Sequence, residues 1–219
     1  MKPNKKLTDM WTRAAESYHI ELDGSPAEEY LDQRGLLDSA DKFMLGFVAE
    51  PAPGHEDRFT GMLSIPYITP LGGVVGFKFR ALDQNVDKRY RYNSPTGQAH
   101  HLYNVDALAD AVDSILIVEG ELDAIAATQA GFPAVAVPGT QGWKKHFRRC
   151  FDGVDKVIVV TDNDEEKDDG SNPGRELAEK LMRELTQSVR VSLPSGHDVN
   201  STILSYGAEH FAELVGAVK

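Results

Sequence analysis

The 219 residues are 41% apolar and 26% charged, which is ordinary for a folded globular protein with one core, or one domain and a smaller partner. A single cysteine, Cys150, excludes an internal disulfide and a multi-cysteine zinc module, and no apolar run reaches the roughly 18 residues of a membrane span. The net charge of −11 argues against a general nucleic-acid coat protein, although a site built from carboxylates and metal would itself raise the acidic count. Because no signal peptide is recognisable, we expect a cytoplasmic protein with no membrane contact.

The first part of the chain predicts helices followed by a small antiparallel sheet. Leu7 to His19 has the spacing of an amphipathic helix. Ser25-Pro26-Ala27-Glu28 is a capping box with proline at the first helical position, and it opens a short helix that Gly35 ends. Met62 to Ile68 and Val74 to Leu82 are strand-like and are separated by glycines, which predicts a β-hairpin or a small sheet.

Cations alternate with aromatic residues in the segment that follows the hairpin, Lys88-Arg89-Tyr90-Arg91-Tyr92-Asn93-Ser94-Pro95. One interpretation is a solvated strand edge. The other is a surface for phosphates and bases, since Lys and Arg neutralise backbone charge while Tyr rings offer faces for stacking.

The second part alternates strands with helices. An apolar strand, Ser114 to Glu119, leads into a helix that begins near Leu122 and ends at Gly131. The further predicted strands are Ala134 to Val137, Val157 to Thr161 and Val189 to Leu193, and the further helices are Gln141 to Cys150 and Gly174 to Leu185. This alternation predicts an α/β domain with a parallel sheet flanked by helices. We therefore predict two domains, a smaller α+β subdomain over residues 1–108 and the α/β domain over residues 109–219.

Carboxylates follow two of the predicted strands. Glu119 ends one strand, and Asp162 and Asp164 follow another on the same side of an extended segment. If the two strands are close in the sheet, three acidic groups meet at its carboxyl edge, where only a cation makes their closeness tolerable. Oxygen ligands suit Mg²⁺ or Mn²⁺, and such ions typically bind phosphates as well, which indicates phosphoryl chemistry. An Asp-x-Asp alone is a weak signal, because acidic loops are common.

A basic segment follows the strand that ends at Val137 and is predicted to emerge at the same edge as Glu119. On a helix Lys144 and Arg148 lie one turn apart and form a cationic ridge, with Trp143 available for stacking on a base. The alternative is that nearby acidic residues pair with the ridge internally.

Three motifs resemble the Toprim domain of bacterial DnaG-type primases: Val118-Glu119-Gly120-x-x-Asp123, Asp162-x-Asp164 and Leu193-Pro194-Ser195-Gly196-His197-Asp198. Flanking segments are similar to the primase catalytic core in the primase order: Tyr30-Leu31-x-x-Arg34-Gly35, Gly76-Phe77-x-x-Arg80, Asn93-Ser94-Pro95-Thr96 with Leu102-Tyr103, and Gly139-Thr140 with His146. The resemblance runs from about residue 10 to the end of the chain and is densest after Gly61.

The resemblance implies a DNA primase that synthesises short RNA primers on single-stranded DNA from ribonucleoside triphosphates, with Mg²⁺ or Mn²⁺ and no zinc. It implies a metal-binding role for Glu119, Asp162, Asp164 and Asp198, with Asp123 in support. The expected nucleic-acid and nucleotide contacts, including the basic segment above, are Lys78, Arg80, Lys88, Arg89, Arg91, Trp143, Lys144 and Arg148.

The sequence departs from the family pattern in three places. Glu165 to Pro173 is inserted before Gly174, Asn200 stands where a further aspartate is usual, and His100 and His101 stand where lysine is expected. The chain resembles a minimal primase core, without the family's zinc module and helicase-binding domain. This predicts a separate helicase or zinc-module partner and a phage or plasmid replication system in the host cytoplasm. Two alternatives remain, a Toprim nuclease and a non-catalytic single-stranded DNA-binding accessory protein.

Overall fold

We describe a computed structural model of the chain for residues 4–83, 85–111, 113–139, 141–162 and 172–216, with Lys88 described by its backbone only. The chain divides into two compact units, residues 1–99 and residues 100–219. Among these described residues, no helix is both long enough and apolar enough to cross a membrane.

The first unit packs helices against an antiparallel sheet with the strand order β1-β2-β3-β4. Its strands are β1 (Gly46–Phe47), β2 (Leu63–Ile68), β3 (Val74–Arg80) and β4 (Tyr92–Asn93). Its α-helices are α1 (Lys5–Ile20), α2 (Pro26–Gln33), α3 (Ala40–Phe43) and α4 (Lys88–Arg91), and short 3₁₀-helices span Leu37–Ser39 and Asp57–Phe59. The predicted hairpin is therefore present as β2 and β3.

Local signals in the sequence account for the ends of α2. The Ser25 hydroxyl accepts hydrogen bonds from the backbone N–H groups of Ala27 and Glu28, and Pro26 occupies the first turn. The Glu28 carboxylate accepts from Gly24 N rather than from Ser25 N, so the reciprocal half of the capping box is displaced by one residue. Gly35 follows the helix with a φ of 64°, a left-handed conformation that glycine adopts without strain.

A buried histidine sits among aromatic side chains in the core of the first unit. The His55 ring lies 4.9 Å from that of Phe77 and 5.4 Å from that of Phe79, measured between centroids. The Tyr18 hydroxyl accepts a hydrogen bond from Ala52 N at 2.8 Å, which leaves its proton to donate to His55 Nδ1, also at 2.8 Å. Burial lowers the pKa of His55 below its usual 6.5, and the nearby Glu56 carboxylate opposes this only in part. The surroundings therefore favour the neutral imidazole.

We expect the first unit to lose stability as the pH falls below about 6.5. In that range the unfolded chain protonates His55 while the folded chain resists protonation, so the free energy of unfolding decreases by up to about 1.4 kcal/mol per pH unit. Urea unfolding at pH 7.5 and pH 5.5 measures this decrease. A His55→Phe variant should show a shallower pH dependence than the wild type, whatever its absolute stability, and equal slopes in the two proteins would contradict the prediction.

The second unit is an α/β domain built on a four-stranded parallel sheet in the described residues, with the order β6-β5-β7-β8. The strands are β5 (Ser114–Val118), β6 (Ala134–Ala136), β7 (Lys156–Thr161) and β8 (Ser188–Ser192). The α-helices are α5 (Ala107–Asp110), α6 (Glu121–Gln129), α7 (Pro173–Glu184), α8 (Val199–Tyr206) and α9 (Ala208–Gly216). The predicted parallel sheet flanked by helices is confirmed.

The strand order of the sheet brings together the two strands that the predicted acidic residues follow. β5 and β7 are direct neighbours, with Ile117 opposite Val159. Both strands are almost wholly apolar and buried, which is typical of a parallel sheet with both faces covered. The polar residues after them, Glu119 and Asp162, therefore emerge side by side at the carboxyl edge.

The helix predicted over Gln141 to Cys150 is wrong in extent and type. The structure has a 3₁₀-helix over Lys145–Phe151, preceded by Lys144 in an extended conformation. A turn occupies the start of the predicted helix, because Gly142 N bonds to Gly139 O at 2.7 Å. At Gly142 a Cβ would lie 2.4 Å from the carbonyl oxygen of Pro138, so the turn admits only glycine there.

Candidate functional site

The centre of the candidate site is a hydrogen bond between the ends of two neighbouring strands. Glu119 directly follows β5, and its Oε1 accepts from the backbone N–H of Asp162 at 3.0 Å. Asp162 directly follows β7, and both residues are half-buried. The bond holds the Glu119 side chain over the sheet edge beside Asp162, as the strand pattern predicts. Asp164 lies outside the described residues.

A glycine at the start of α7 closes one side of this pair. A Cβ on Gly174 would lie 2.4 Å from Glu119 Oε1 and 3.1 Å from the carbonyl oxygen of Asp162. Every residue other than glycine would therefore displace the Glu119 carboxylate. Although the sequence inserts Glu165 to Pro173 before it, Gly174 is in contact with the site.

The remaining acidic residues organise the helices next to the sheet edge. Asp123 is buried in the first turn of α6, and its Oδ1 accepts from the backbone N–H of Asn200 at 3.0 Å, which ties α6 to α8. Asp198 is the N-cap of α8, where its Oδ1 accepts from Ser201 N at 2.6 Å. Asp123 and Asp198 each make a hydrogen bond that holds the start of α8 in place, and their roles as a supporting acid and a metal ligand stay predictions.

Sequence reasoning missed one buried carboxylate. Glu121, two residues after Glu119, is only 3% exposed in the first turn of α6. Its charge adds to burial in raising the pKa of the Tyr103 hydroxyl well above the usual value. Charged side chains are rarely buried without a function or a partner, so Glu121 is a further candidate for a role in this site. The signal available in the sequence was a second glutamate at the strand-to-helix junction.

The donors present suit a hard divalent cation. Within the described ranges, no three His, Cys, Asp or Glu side chains are grouped closely enough to hold a metal ion by themselves. Mg²⁺ commonly takes only one or two protein carboxylates, with water and phosphate oxygens completing its shell. Glu119 and Asp162, which follow neighbouring strands at one sheet edge, supply the one or two carboxylates that such a site needs.

The predicted basic contact Arg80 lies inside the first unit. Its side chain is 8% exposed, with the guanidinium carbon 4.7 Å from the Tyr92 ring centroid and 5.2 Å from that of Tyr30. It also donates a hydrogen bond to the Tyr92 hydroxyl. The prediction of a direct phosphate contact is therefore corrected: Arg80 packs between two tyrosine rings, and charge reversal there would disturb the fold.

The other predicted cations of this unit are closer to its surface. Lys78 is half-buried, with its ammonium 5.9 Å from the Tyr92 ring centroid. Arg89 is exposed and pairs with Asp87 at 2.7 Å, while Arg91 is half-buried. The side chain of Lys88 lies outside the described residues. Surface position leaves Arg89 able to meet a strand of nucleic acid, at the cost of its weak exposed ion pair.

The predicted cationic ridge is not formed, and Trp143 does not face solvent. Trp143 is 2% exposed, packs against Phe147 and Phe151, and donates from Nε1 to Glu184 Oε2 at 2.9 Å. Its predicted role in stacking on a base is therefore wrong. Arg148 is exposed on the 3₁₀-helix, but Lys144 precedes that helix in an extended conformation, so the two do not align as on an α-helix.

We expect Glu184→Ala to destabilise the second unit without weakening DNA binding. The change leaves the buried indole N–H of Trp143 without its acceptor, which costs about 1–3 kcal/mol. Denaturant unfolding and single-stranded DNA binding measure the two effects. Glu179→Ala on the same helix is the matched control, because Glu179 is exposed and makes only a 4.0 Å pair with Arg183. If Glu184→Ala loses DNA affinity at temperatures where it is folded, the predicted role of Trp143 in DNA binding would be supported after all.

Comparisons with known proteins agree with this geometry. A family model described as Toprim-like matches residues 116–203, which include both strand ends of the site. The gene 57 protein of Mycobacterium phage D29 is 36% identical, and the match covers 72% of this chain and 99% of that protein. The DNA primase of Lactococcus lactis is 25% identical over 97% of this chain. The RNA polymerase domain of Mycobacterium tuberculosis primase DnaG superposes with a TM-score of 0.79 at 26% identity, covering 99% of this chain and 84% of that one.

The chain belongs to the DnaG-type primase family. This confirms the resemblance seen in the motifs, and it explains why the primase segments recur in the primase order. The primase core of this family contains a Toprim domain, here in the second unit. The chain spans 39% of the length of the Lactococcus lactis primase and 40% of the Neisseria meningitidis primase. A DnaG primase catalytic domain bound to single-stranded DNA has the same fold, with a TM-score of 0.77 at 23% identity.

Proposed function

We propose that this chain is a DNA primase catalytic core that makes short RNA primers on single-stranded DNA. The observation that carries the proposal is the Glu119 carboxylate, held by the Asp162 N–H at the joined ends of β5 and β7 and closed in by Gly174. The family relationship supports it, as does the DNA-bound catalytic domain with the same fold. The host cytoplasm, where replicating DNA is found, is the proposed place of action.

Glu119 and Asp162, with Asp164 as a third candidate, are the residues that we propose hold Mg²⁺ or Mn²⁺. When bound, such an ion neutralises phosphate charge and favours the deprotonated form of the primer 3′ hydroxyl. The protein itself contributes by positioning the carboxylates. The strand ends and the Asp162 N–H orient the Glu119 carboxylate, Gly174 leaves it room, and the Asp123 contact to Asn200 holds the first turn of α8. Such preorganisation is a large part of catalysis in phosphoryl transfer.

Arg89, Lys88, Lys78 and Arg91 in the first unit and Lys144 and Arg148 in the second are the cations that we propose meet the template or the nucleotides. We also propose that the two units correspond to a template-binding subdomain and the Toprim domain. A helicase or a zinc-containing replication protein is the proposed separate partner, which would deliver the template.

Incubation with single-stranded DNA, ribonucleoside triphosphates and either Mg²⁺ or Mn²⁺ tests the proposal. A primase yields short RNA products that depend on template and metal, and the comparison of the two metals identifies the one preferred. Shortened DNA under the same conditions would indicate a nuclease instead. Binding with neither product, in the presence of helicase and zinc-containing partners from a related system, would indicate an accessory protein.

A further inference from the structure

The first unit contains a pocket beside the segment that carries Arg89 and Tyr90. The cavity has a volume of about 490 Å³, within the range of sites that hold small organic groups. Met62, Leu82 and Val86 give it an apolar lining, and Met62 is buried. Tyr90, Asn93 and Arg58 also line it, and of these Tyr90 and Arg58 are exposed to solvent.

The backbone of Tyr90 is held by two hydrogen bonds, and its side chain is largely exposed. Its backbone N–H donates to Asp87 O at 2.8 Å, and its carbonyl oxygen accepts from Asn93 Nδ2, also at 2.8 Å. The side chain is nevertheless 61% exposed. The guanidinium carbon of Arg89 lies 5.6 Å from the centroid of the Tyr90 ring, and that of Arg80 lies 4.7 Å from the centroid of the Tyr92 ring. An exposed aromatic ring on a hydrogen-bonded backbone, beside an apolar cavity, is suited to stacking on another flat ring.

The charges around the pocket distinguish between a base and a charged nucleotide. The guanidinium of Arg58 lies 3.3 Å from Glu56 Oε1, and that of Arg89 lies 2.7 Å from Asp87 Oδ2. Asp83 lines the pocket and is a further negative charge. A triphosphate needs cations in excess, whereas an uncharged base needs an apolar surface, an aromatic face and polar groups at the edge. The charge balance therefore favours the base.

We propose that this pocket receives one unstacked base of single-stranded DNA, with that base stacked on the Tyr90 ring. The inference deepens the proposed function and rests on it for the identity of the strand. Because stacking requires only a flat ring, we expect the pocket to bind any of the four bases.

Short single-stranded oligonucleotides, each with one abasic position, test the proposal by fluorescence anisotropy in EDTA without nucleotides. In the wild type, removal of the base at one position should weaken binding about tenfold, the order that loss of one stacked base produces. Tyr90→Ala should weaken binding of the intact strand about tenfold and should no longer respond to the abasic position. Tyr90→Phe keeps the ring and should behave as the wild type. Tyr206→Ala, which removes another half-exposed tyrosine, is the matched control and should change neither quantity.

Equal affinity of Tyr90→Ala and wild type for the intact strand would overturn the proposal. So would an abasic penalty that persists in Tyr90→Ala, or an effect of that variant on free ribonucleoside triphosphates but not on DNA. Failure of the proposed function has a different signature, since the protein would then bind DNA with the base-pocket behaviour intact and yet make no primers when metal and nucleotides are added.

Discussion

Glu119→Gln should lower primer synthesis by at least about a hundredfold and leave the protein folded. The change removes the negative charge that a divalent cation requires, and a cation at such a site contributes several kcal/mol to the stability of the transition state. Glutamine has the same shape and keeps a carbonyl oxygen that can accept from Asp162 N, so the link between the ends of β5 and β7 can persist. Initial rates of RNA synthesis and thermal unfolding curves measure the two effects.

Glu213→Gln is the matched control for this variant, because Glu213 is 81% exposed on α9 and lies outside the site. It should synthesise primers at the wild-type rate. Wild-type synthesis by Glu119→Gln would remove Glu119 from the reaction and with it the proposed metal site.

Gly174→Ala should lower primer synthesis about a hundredfold without unfolding the protein. The added Cβ would lie 2.4 Å from Glu119 Oε1, so the carboxylate must move, and a misplacement of about 1 Å can reduce a rate by that factor. The displaced oxygen is the end of a flexible side chain, but its movement breaks the hydrogen bond from Asp162 N, and the Cβ also lies 3.1 Å from the Asp162 carbonyl oxygen. Alanine loses less conformational entropy on folding than glycine does, worth about 0.5–1 kcal/mol, which offsets part of this cost. The expected result is a loss of activity with a melting temperature that falls only slightly.

Gly216→Ala on α9 makes the same substitution where, among the described residues, no atom outside the local helix backbone lies within 4 Å of the added carbon, and its rate should not change. If Gly174→Ala instead unfolds the protein, the contact supports the fold rather than the position of the carboxylate. Full activity in a folded Gly174→Ala would show that the carboxylate position is not critical.

The positions of Glu119 and Asp162 were predictable from the sequence because they depend on residues adjacent to them in the chain. Glu119 and Asp162 each follow an apolar run of strand length, and parallel strands end at a common edge. The sequence could not show that Asp162 contributes its backbone N–H to Glu119, since that depends on the adjacency of β5 and β7. It also could not show the approach of Gly174, which the inserted residues separate from Asp162 along the chain.

The basic and aromatic residues were harder to place, because the same residue types serve both a core and a binding surface. Trp143 is buried on Phe147 and Phe151, although its neighbours in sequence are cations. Arg80 is enclosed by tyrosine rings that come from α2 and β4, a contact that no local pattern reveals. Tertiary packing decides such cases, and helical spacing misleads where a hydrogen bond such as that from Gly142 N to Gly139 O replaces the start of a predicted helix.

The hydrogen bond from Asp162 N to Glu119 Oε1 also places a spectroscopic reporter on the carboxylate that we propose binds metal. A cation bound to that carboxylate draws electron density from the accepting oxygen, so the amide resonance of Asp162 should move upfield and its hydrogen should exchange faster with solvent. A nitrogen-15 label at this one backbone position would therefore follow occupancy of the site directly, in the absence of template, nucleotides and turnover.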